Sequence, residues 1–416
     1  MTGTDRERFF ALDPEVGRCP YSVFEELRAE PELYYEESIE AYVVSRYADL
    51  VEVLKDNVTF SSNKHAGPHL ARTMQSVLAA LTPEEVAELI IPFELAHLDG
   101  AKHMRLRKLC SGAFTTAAAK RWEPLIEATA REVAGSVRGE SHLEFVTQYA
   151  RPVAITTLTR IFGLPDDLPT FDRWVTSLIE IMNSTEGTDA VVRNYLRTSR
   201  EFSAYLGARI RLLREHPDDS VLSQLVHAEQ NGESLTDKEL LTVFLGFIAG
   251  GSDNTANLLV AAARRLAEDP ELAKTLRADL DTRVGPFVEE MLRLHTPVQG
   301  MFRTATKDTT VGGNPVPEGA HLYLLFTSAN RDAAAFADPD EIDLERPAVP
   351  AQIGLGVGVH RCLGGPVVQV QARAAIRELL RTFDDLALAR PAEELRFYAN
   401  FITPAIGELP LDVHAA

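Results

Sequence analysis

Gly354-Leu-Gly-Val-Gly-Val-His-Arg-Cys-Leu-Gly364 presents a single cysteine on a glycine-rich loop that opens a helix. The helix follows at once. Pro366 stands where a first-turn proline belongs, and 366–383 holds Val367, Val370, Ala374 and Leu379. Cys362 therefore lies just before a helix N-terminus, where the dipole and free N–H groups favour a thiolate over a thiol. Glycines 354, 356 and 358 permit positive φ and leave room for a large flat group. Two other readings are open: a buried structural cysteine and a dinucleotide loop. The spacing is G-x-G-x-G rather than G-x-G-x-x-G and no clear strand leads into it, which weighs against the dinucleotide.

A thiolate in such a loop is suited to holding haem iron from one side. The stretch resembles the cysteine loop of the cytochrome P-450 family, Phe-Gly-x-Gly-x-His-x-Cys-x-Gly. It matches at Gly356, Gly358, His360, Cys362 and Gly364, with Leu355 where phenylalanine is usual. The resemblance implies haem b as cofactor, with Cys362 as its metal ligand. It also implies a mainly α fold with small β-sheets (α+β) and a long central helix across the haem.

The chain has 416 residues and a net charge of −19, which argues against nucleic acid or an anionic membrane surface as partner. No linker, low-complexity run or repeat divides it, so 1–416 reads as one domain. Three cysteines (Cys19, Cys110, Cys362) are too few and odd for a disulfide framework and fit a reducing cytoplasm. The first residues show no apolar signal core, and the longest apolar stretch, 240–251, is too short to span a bilayer. A soluble member is expected, unlike the membrane-anchored branch.

Periodicity predicts helices over 20–30, 83–89, 103–114, 117–136, 149–162, 171–182, 191–216, 237–268, 270–278 and 284–295. Strand signals are short: 42–45, 309–311 with Val316, and 321–326. The segment 339–350 reads as irregular. Thr236-x-x-Glu239 is a capping box opening the longest helix, and Pro270 marks its end. Gly250 and Gly251 in its middle each cost about 1 kcal/mol relative to alanine. Close approach of a flat ligand is the expected compensation, and packing against another helix the alternative.

In the family the resemblance points to, that glycine pair precedes an acid and an alcohol that relay protons to the reacting dioxygen. The matching run is Gly250-Gly251-Ser252-Asp253-Asn254-Thr255. Asp253 takes the acid's place, and Asn254 stands where threonine is usual. An amide donates and accepts hydrogen bonds but does not readily ionise. It can orient a water or a substrate hydroxyl. A register shifted by a local bulge would make Thr255 the alcohol.

Glu290 and Arg293 match the family's Glu-x-x-Arg, an ion pair by spacing. The apolar stripe through Val288, Met291, Leu292 and Leu294 puts this pair on the polar face. The resemblance alone makes it structural, with Arg346 as third member. Asp99-Gly-Ala-Lys-His103-Met-Arg-Leu-Arg107 resembles Asp-x-x-x-His-x-Arg-Leu-Arg. The resemblance assigns His103, Arg107, Arg303 and His360 to the two haem carboxylates. Arg105 and Lys108 point away from that face and, with Arg361, are expected to form an exposed basic patch.

The resemblance further implies substrate contacts from the loop before 103–114, the middle of the long helix, the segment after Glu-x-x-Arg and the C-terminal hairpin. These supply Phe244, Phe247, Ile248, Val298, Met301, Phe401 and Ile402, and point to a compact apolar substrate. The run around Asp253 and the Cys362 loop resembles a branch that oxidises small terpenoids. The activity implied is a monooxygenase inserting one atom of O2 into a C–H bond. With no flavin or nicotinamide domain evident, electrons are expected from a ferredoxin or flavodoxin with its NAD(P)H reductase. An oxidative coupling enzyme or peroxygenase, and a haem sensor without turnover, are the alternatives.

Overall fold

The computed structural model describes residues 3–63, 67–79, 81–90, 94–183 and 189–415. The expected mixture is found: a largely helical body with small sheets. The central helix runs Asp237–Glu268, the bounds expected from its capping signals. Thr236 accepts from the Glu239 N–H at 3.2 Å, and Glu239 accepts from the Thr236 N–H at 2.8 Å. At the other end Asp269 caps the helix beginning at Pro270, accepting from the Leu272 N–H at 3.0 Å. Thirty-two residues make a rod about 48 Å long.

This rod belongs to two cores. Val243, Phe244, Leu245 and Ile248 pack with the Leu168–Asn183 and Asp189–Glu215 helices. Leu258, Leu259, Ala262 and Leu266 pack instead with Leu280–Leu294 and Gly365–Thr382. The helix middle, with its glycine pair, lies between the two.

The largest sheet orders its strands Tyr34–Glu36, Ala41–Val44, His321–Leu325, Gly300–Ala305, Phe60–Ser61. His321–Leu325 pairs in parallel with Ala41–Val44 and antiparallel with Gly300–Ala305, which sets Arg303 opposite Leu322. A second sheet joins Phe383–Leu388, Pro410–Ala415 and His142–Glu144. Phe383 thus opens a strand instead of closing the preceding helix. Helices at Tyr47–Lys55 and Gly67–Ala79 and the strand Gly300–Ala305 were not among the sequence expectations.

The Glu290–Arg293 pair corrects the reading from periodicity. It is not on a solvated face: the two residues are 3% and 1% exposed. Arg293 grips Glu290 through two bonds of 2.8 and 2.7 Å, and Arg346 Nε reaches the same carboxylate at 3.0 Å. Burial alone would raise the Glu290 pKa, but these donors and the Asp343 N–H hold it below the usual range. Arg293 also donates to the carbonyls of Asn330 (3.1 Å), Pro339 (2.5 Å) and Glu341 (2.8 Å). Helix-face counting missed this because the irregular segment 330–346 covers what would otherwise be the wet side.

Removing one partner strands a buried charge, at a cost of about 3–5 kcal/mol. Glu290→Ala should therefore lose that much stability in urea unfolding. Glu268→Ala, which breaks the partly exposed 2.8 Å pair with Arg264, should change it by less than about 1 kcal/mol.

Candidate active site

A cavity of about 290 Å³ lies between the middle of the central helix and the Cys362 loop. The helix contributes Thr242, Gly246, Gly250 and Asn254, spaced by four and so on one face, with Phe247 beside them. Val298 and Met301 line it as expected. Cys362 and the loop around it form the opposite wall, and His103, Arg107, Arg303 and His360 all border it.

The loop is closed by a 2.7 Å bond from the Cys362 N–H to the Leu355 carbonyl. Gly356 and Gly358 sit at φ 73° and 75°, a region hostile to side chains. At two of the three glycines the room left serves the protein itself, while a Cβ at Gly356 would meet nothing closer than 3.6 Å and Gly356 borders the cavity. A Cβ at Gly354 would lie 2.6 Å from the Leu292 carbonyl, and one at Gly358 2.7 Å from the Leu54 carbonyl. Cys362 ends just before the Gly365–Thr382 helix, its exposed surface turned to the cavity. Burial pushes its thiol pKa up, and the N–H groups of Gly364 and Gly365 only partly offset this. The helix-end N–H groups favour the thiolate as expected, and a coordinated metal cation would favour it further.

The four cationic candidates converge. The rings of His103 and His360 stack with centroids 4.1 Å apart. Neither ring nitrogen of His103, nor His360 Nε2, has a hydrogen-bond partner among the described residues. His360 Nε2 lies 3.6 Å from Asp99 Oδ1. Burial, with His103 and Arg303 nearby, drives the His360 pKa down to about 3. Arg303 is 5% exposed, its pKa lowered by burial to about 10, and it donates 2.8 Å to the Phe302 carbonyl. Arg107 donates to the Arg361 carbonyl at 2.6 Å. Buried donors in excess of acceptors, gathered beside one thiol, fit a ligand with a metal at its centre and two carboxylates at its edge. That is the chemistry of haem.

Along the helix middle, both explanations for the glycines apply. A Cβ at Gly251 would stand 2.8 Å from Leu158 Cδ1 on the Arg151–Ile161 helix, so Gly251 is a packing glycine. Gly250 faces the cavity. The helix is unbroken, with no bulge in 250–255. Asn254 borders the cavity, and its Oδ1 is buried with no partner among the described residues. Thr255 is fully buried and does not border it. Burial pushes the Asp253 carboxyl pKa up, opposed by Arg151 and by Asn257, whose Nδ2 is 3.3 Å away. Arg151 in turn holds Asp172 at 2.7 Å.

Some expected contacts are elsewhere. Phe244 is 0% exposed and packs edge-on against Phe162 in the core, and Ile248 is likewise core. Phe401 stacks near Phe10 and Tyr323, outside the cavity wall, and Ile402 lends its carbonyl to the Gln299 N–H at 2.7 Å. Their apolar character was read as pocket when it serves packing. Arg105 does not join a free basic patch: it bonds Glu239 at 2.6 Å and Glu233 at 2.7 Å. Lys108 and Arg361 are exposed. Of the loop before 103–114, residues 91–93 lie outside the described residues. Sequence reasoning missed Thr242, Phe114, Phe326 and Gln371 in the wall, although the four-residue spacing of 242, 246, 250 and 254 pointed to Thr242.

Known proteins agree with this geometry. The family model for cytochrome P450 matches residues 43–389. The erythromycin C-12 hydroxylase of Saccharopolyspora erythraea is 33% identical over 361 residues, 86% of each chain. The solved structure of CYP109Q5 from Chondromyces apiculatus superposes with TM-score 0.83 at 28% identity, covering 97% of this chain and 98% of that one. So does P450BioI in complex with an acyl carrier protein ligated to hexadec-9Z-enoic acid, at 0.83 and 27%, covering 96% and 99%. No helix among the described residues is long and apolar enough to cross a membrane. The chain belongs to the cytochrome P450 family, haem b monooxygenases that hold their iron through a cysteine thiolate.

Proposed function

We propose that this enzyme inserts one oxygen atom of O2 into a C–H bond of a compact apolar substrate, a small terpenoid being the first class to test. The observation that carries this is the apolar cavity between Cys362 and the Asn254 face of the central helix. Haem b, when bound, supplies the iron at which dioxygen is activated. Cys362 ligates that iron, while His103, Arg107, Arg303 and His360 hold the carboxylates. Phe247, Val298 and Met301 exclude water and position the substrate by burial.

Asp253 moves the proton. Burial raises its pKa, which favours its taking up a proton, and the Arg151–Asp172 pair links it towards the surface, Asp172 being 40% exposed. Asn254 does the orienting that the usual threonine would do, holding a water or a substrate hydroxyl with its unpaired amide oxygen. Electrons come from a ferredoxin or flavodoxin with its NAD(P)H reductase, in the cytoplasm. Lys108 and Arg361 offer cationic surface to an acidic donor.

Four outcomes test these roles. Titrating the ferric protein with monoterpenoids, aromatic acids, fatty acids and cyclic dipeptides should shift the haem spectrum with the compact apolar class. A response confined to the acids would overturn the substrate reading. Asp253→Asn should slow turnover by about 10²-fold, and Asn254→Ala should release hydrogen peroxide in place of product. If Thr255→Ala alone uncouples, the register is wrong, and product formed from peroxide but not from an electron-transfer system would favour a peroxygenase. Arg303→Ala should speed haem transfer to an apoprotein acceptor roughly tenfold or more, the loss of one charge-assisted bond.

A further inference from the structure

A second cavity, of about 490 Å³, lies beyond the Thr242 end of the first. It sits between the central helix, the end of the Pro83–Glu88 helix and the Asp189–Glu215 helix. Leu89, Ile90 and Leu241 give it an apolar floor, while Arg200, Ser203 and Lys238 form a polar edge. Thr242 is the one residue, among those described, that borders both cavities.

The central helix explains why. Stepping back by four from Asn254, its cavity face carries Gly250, Gly246, Thr242 and then Lys238 in the second cavity. Two consecutive steps lack a side chain, so an open groove runs about 18 Å along the helix from Asn254 to Thr242. Thr242 is the first side chain of that row to stand across it. It is well fixed: β-branched, 3% exposed, its hydroxyl donating to the Lys238 carbonyl at 2.9 Å. The outer wall is pinned by Tyr195 Oη donating to the Ile90 carbonyl at 2.6 Å and by the Glu88–Arg200 pair at 2.6 Å.

We propose that Thr242 is a specificity-determining partition that sets the greatest length of substrate. A chain-bearing apolar ligand lies along the glycine groove and stops at Thr242. Cutting that side chain back joins the cavities and admits a longer chain. This rests on the first cavity being the substrate site, as proposed above.

The test uses the haem-loaded enzyme as wild type, Thr242→Ala, and Thr242→Ala combined with Ser203→Trp, which fills the second cavity from its far side. Dissociation constants are read optically for one compact monoterpenoid and for linear primary alcohols from decanol to octadecanol. Alanine's higher helix propensity offsets part of the packing lost with the buried side chain, so the first variant should stay folded with at most a modest drop in melting temperature. It should bind the longest alcohols about tenfold tighter, the gain from burying roughly two more methylenes, with the monoterpenoid little changed. Ser203→Trp should remove that gain. The partition is overturned if the long alcohols bind Thr242→Ala no tighter, or if the gain survives Ser203→Trp. If neither ligand class perturbs the wild-type spectrum, the substrate reading of the first cavity fails, and the partition with it.

Discussion

The carboxylate of Glu290 is the point on which this structure depends. Buried and gripped by Arg293 and Arg346, it fixes the Leu280–Leu294 helix to the irregular chain after Asn330. That chain has no regular backbone pairing of its own, so its carbonyls need donors from elsewhere, and Arg293 supplies three. Asn330 passes the constraint on. Its amide donates to Thr296 at 3.0 Å, and its carbonyl oxygen accepts from the Ile353 N–H at 2.9 Å. Ile353 leads directly into Gly354, which packs on the Leu292 carbonyl. The position of Cys362 is thus set by an ion pair far from the chemistry.

The opposite wall is set by the central helix. A single helix with apolar partners on both halves cannot shift without disturbing two cores, so its middle is a rigid surface. Gly251 lets the Arg151–Ile161 helix approach, and both Gly250 and Gly251 border the cavity. Asn254 and Asp253 then fall on different sides of one turn, one facing the cavity and the other close to Arg151. Helix geometry alone thus separates the two side chains to which we assign proton supply and substrate orientation.

Much of this was legible in the sequence because it is local. The loop at Cys362 is written in consecutive residues, and the central helix has a capping box and a proline at its ends. What failed was long-range. Glu290 and Arg293 looked wet because the chain that covers them, 330–346, has no periodicity to announce it. Gly300–Ala305 was invisible as a strand because Gly300 and the buried Arg303 break the alternation that a half-buried strand should show. Phe244 and Phe247 are chemically alike, and only the packing of Phe162 against Phe244 tells core from cavity. Arg105 looked free because its partners, Glu233 and Glu239, lie more than a hundred residues away.

The central claim is that Cys362 holds haem through its sulfur, opposite Asn254. Its most direct test is the optical spectrum of the reduced, carbon monoxide-bound protein, wild type and Cys362→Ser, at equal haem content. The account predicts the red-shifted thiolate band in the wild type and its disappearance in the variant. A variant that keeps the band would contradict it, as would a wild type that never shows it while carrying haem.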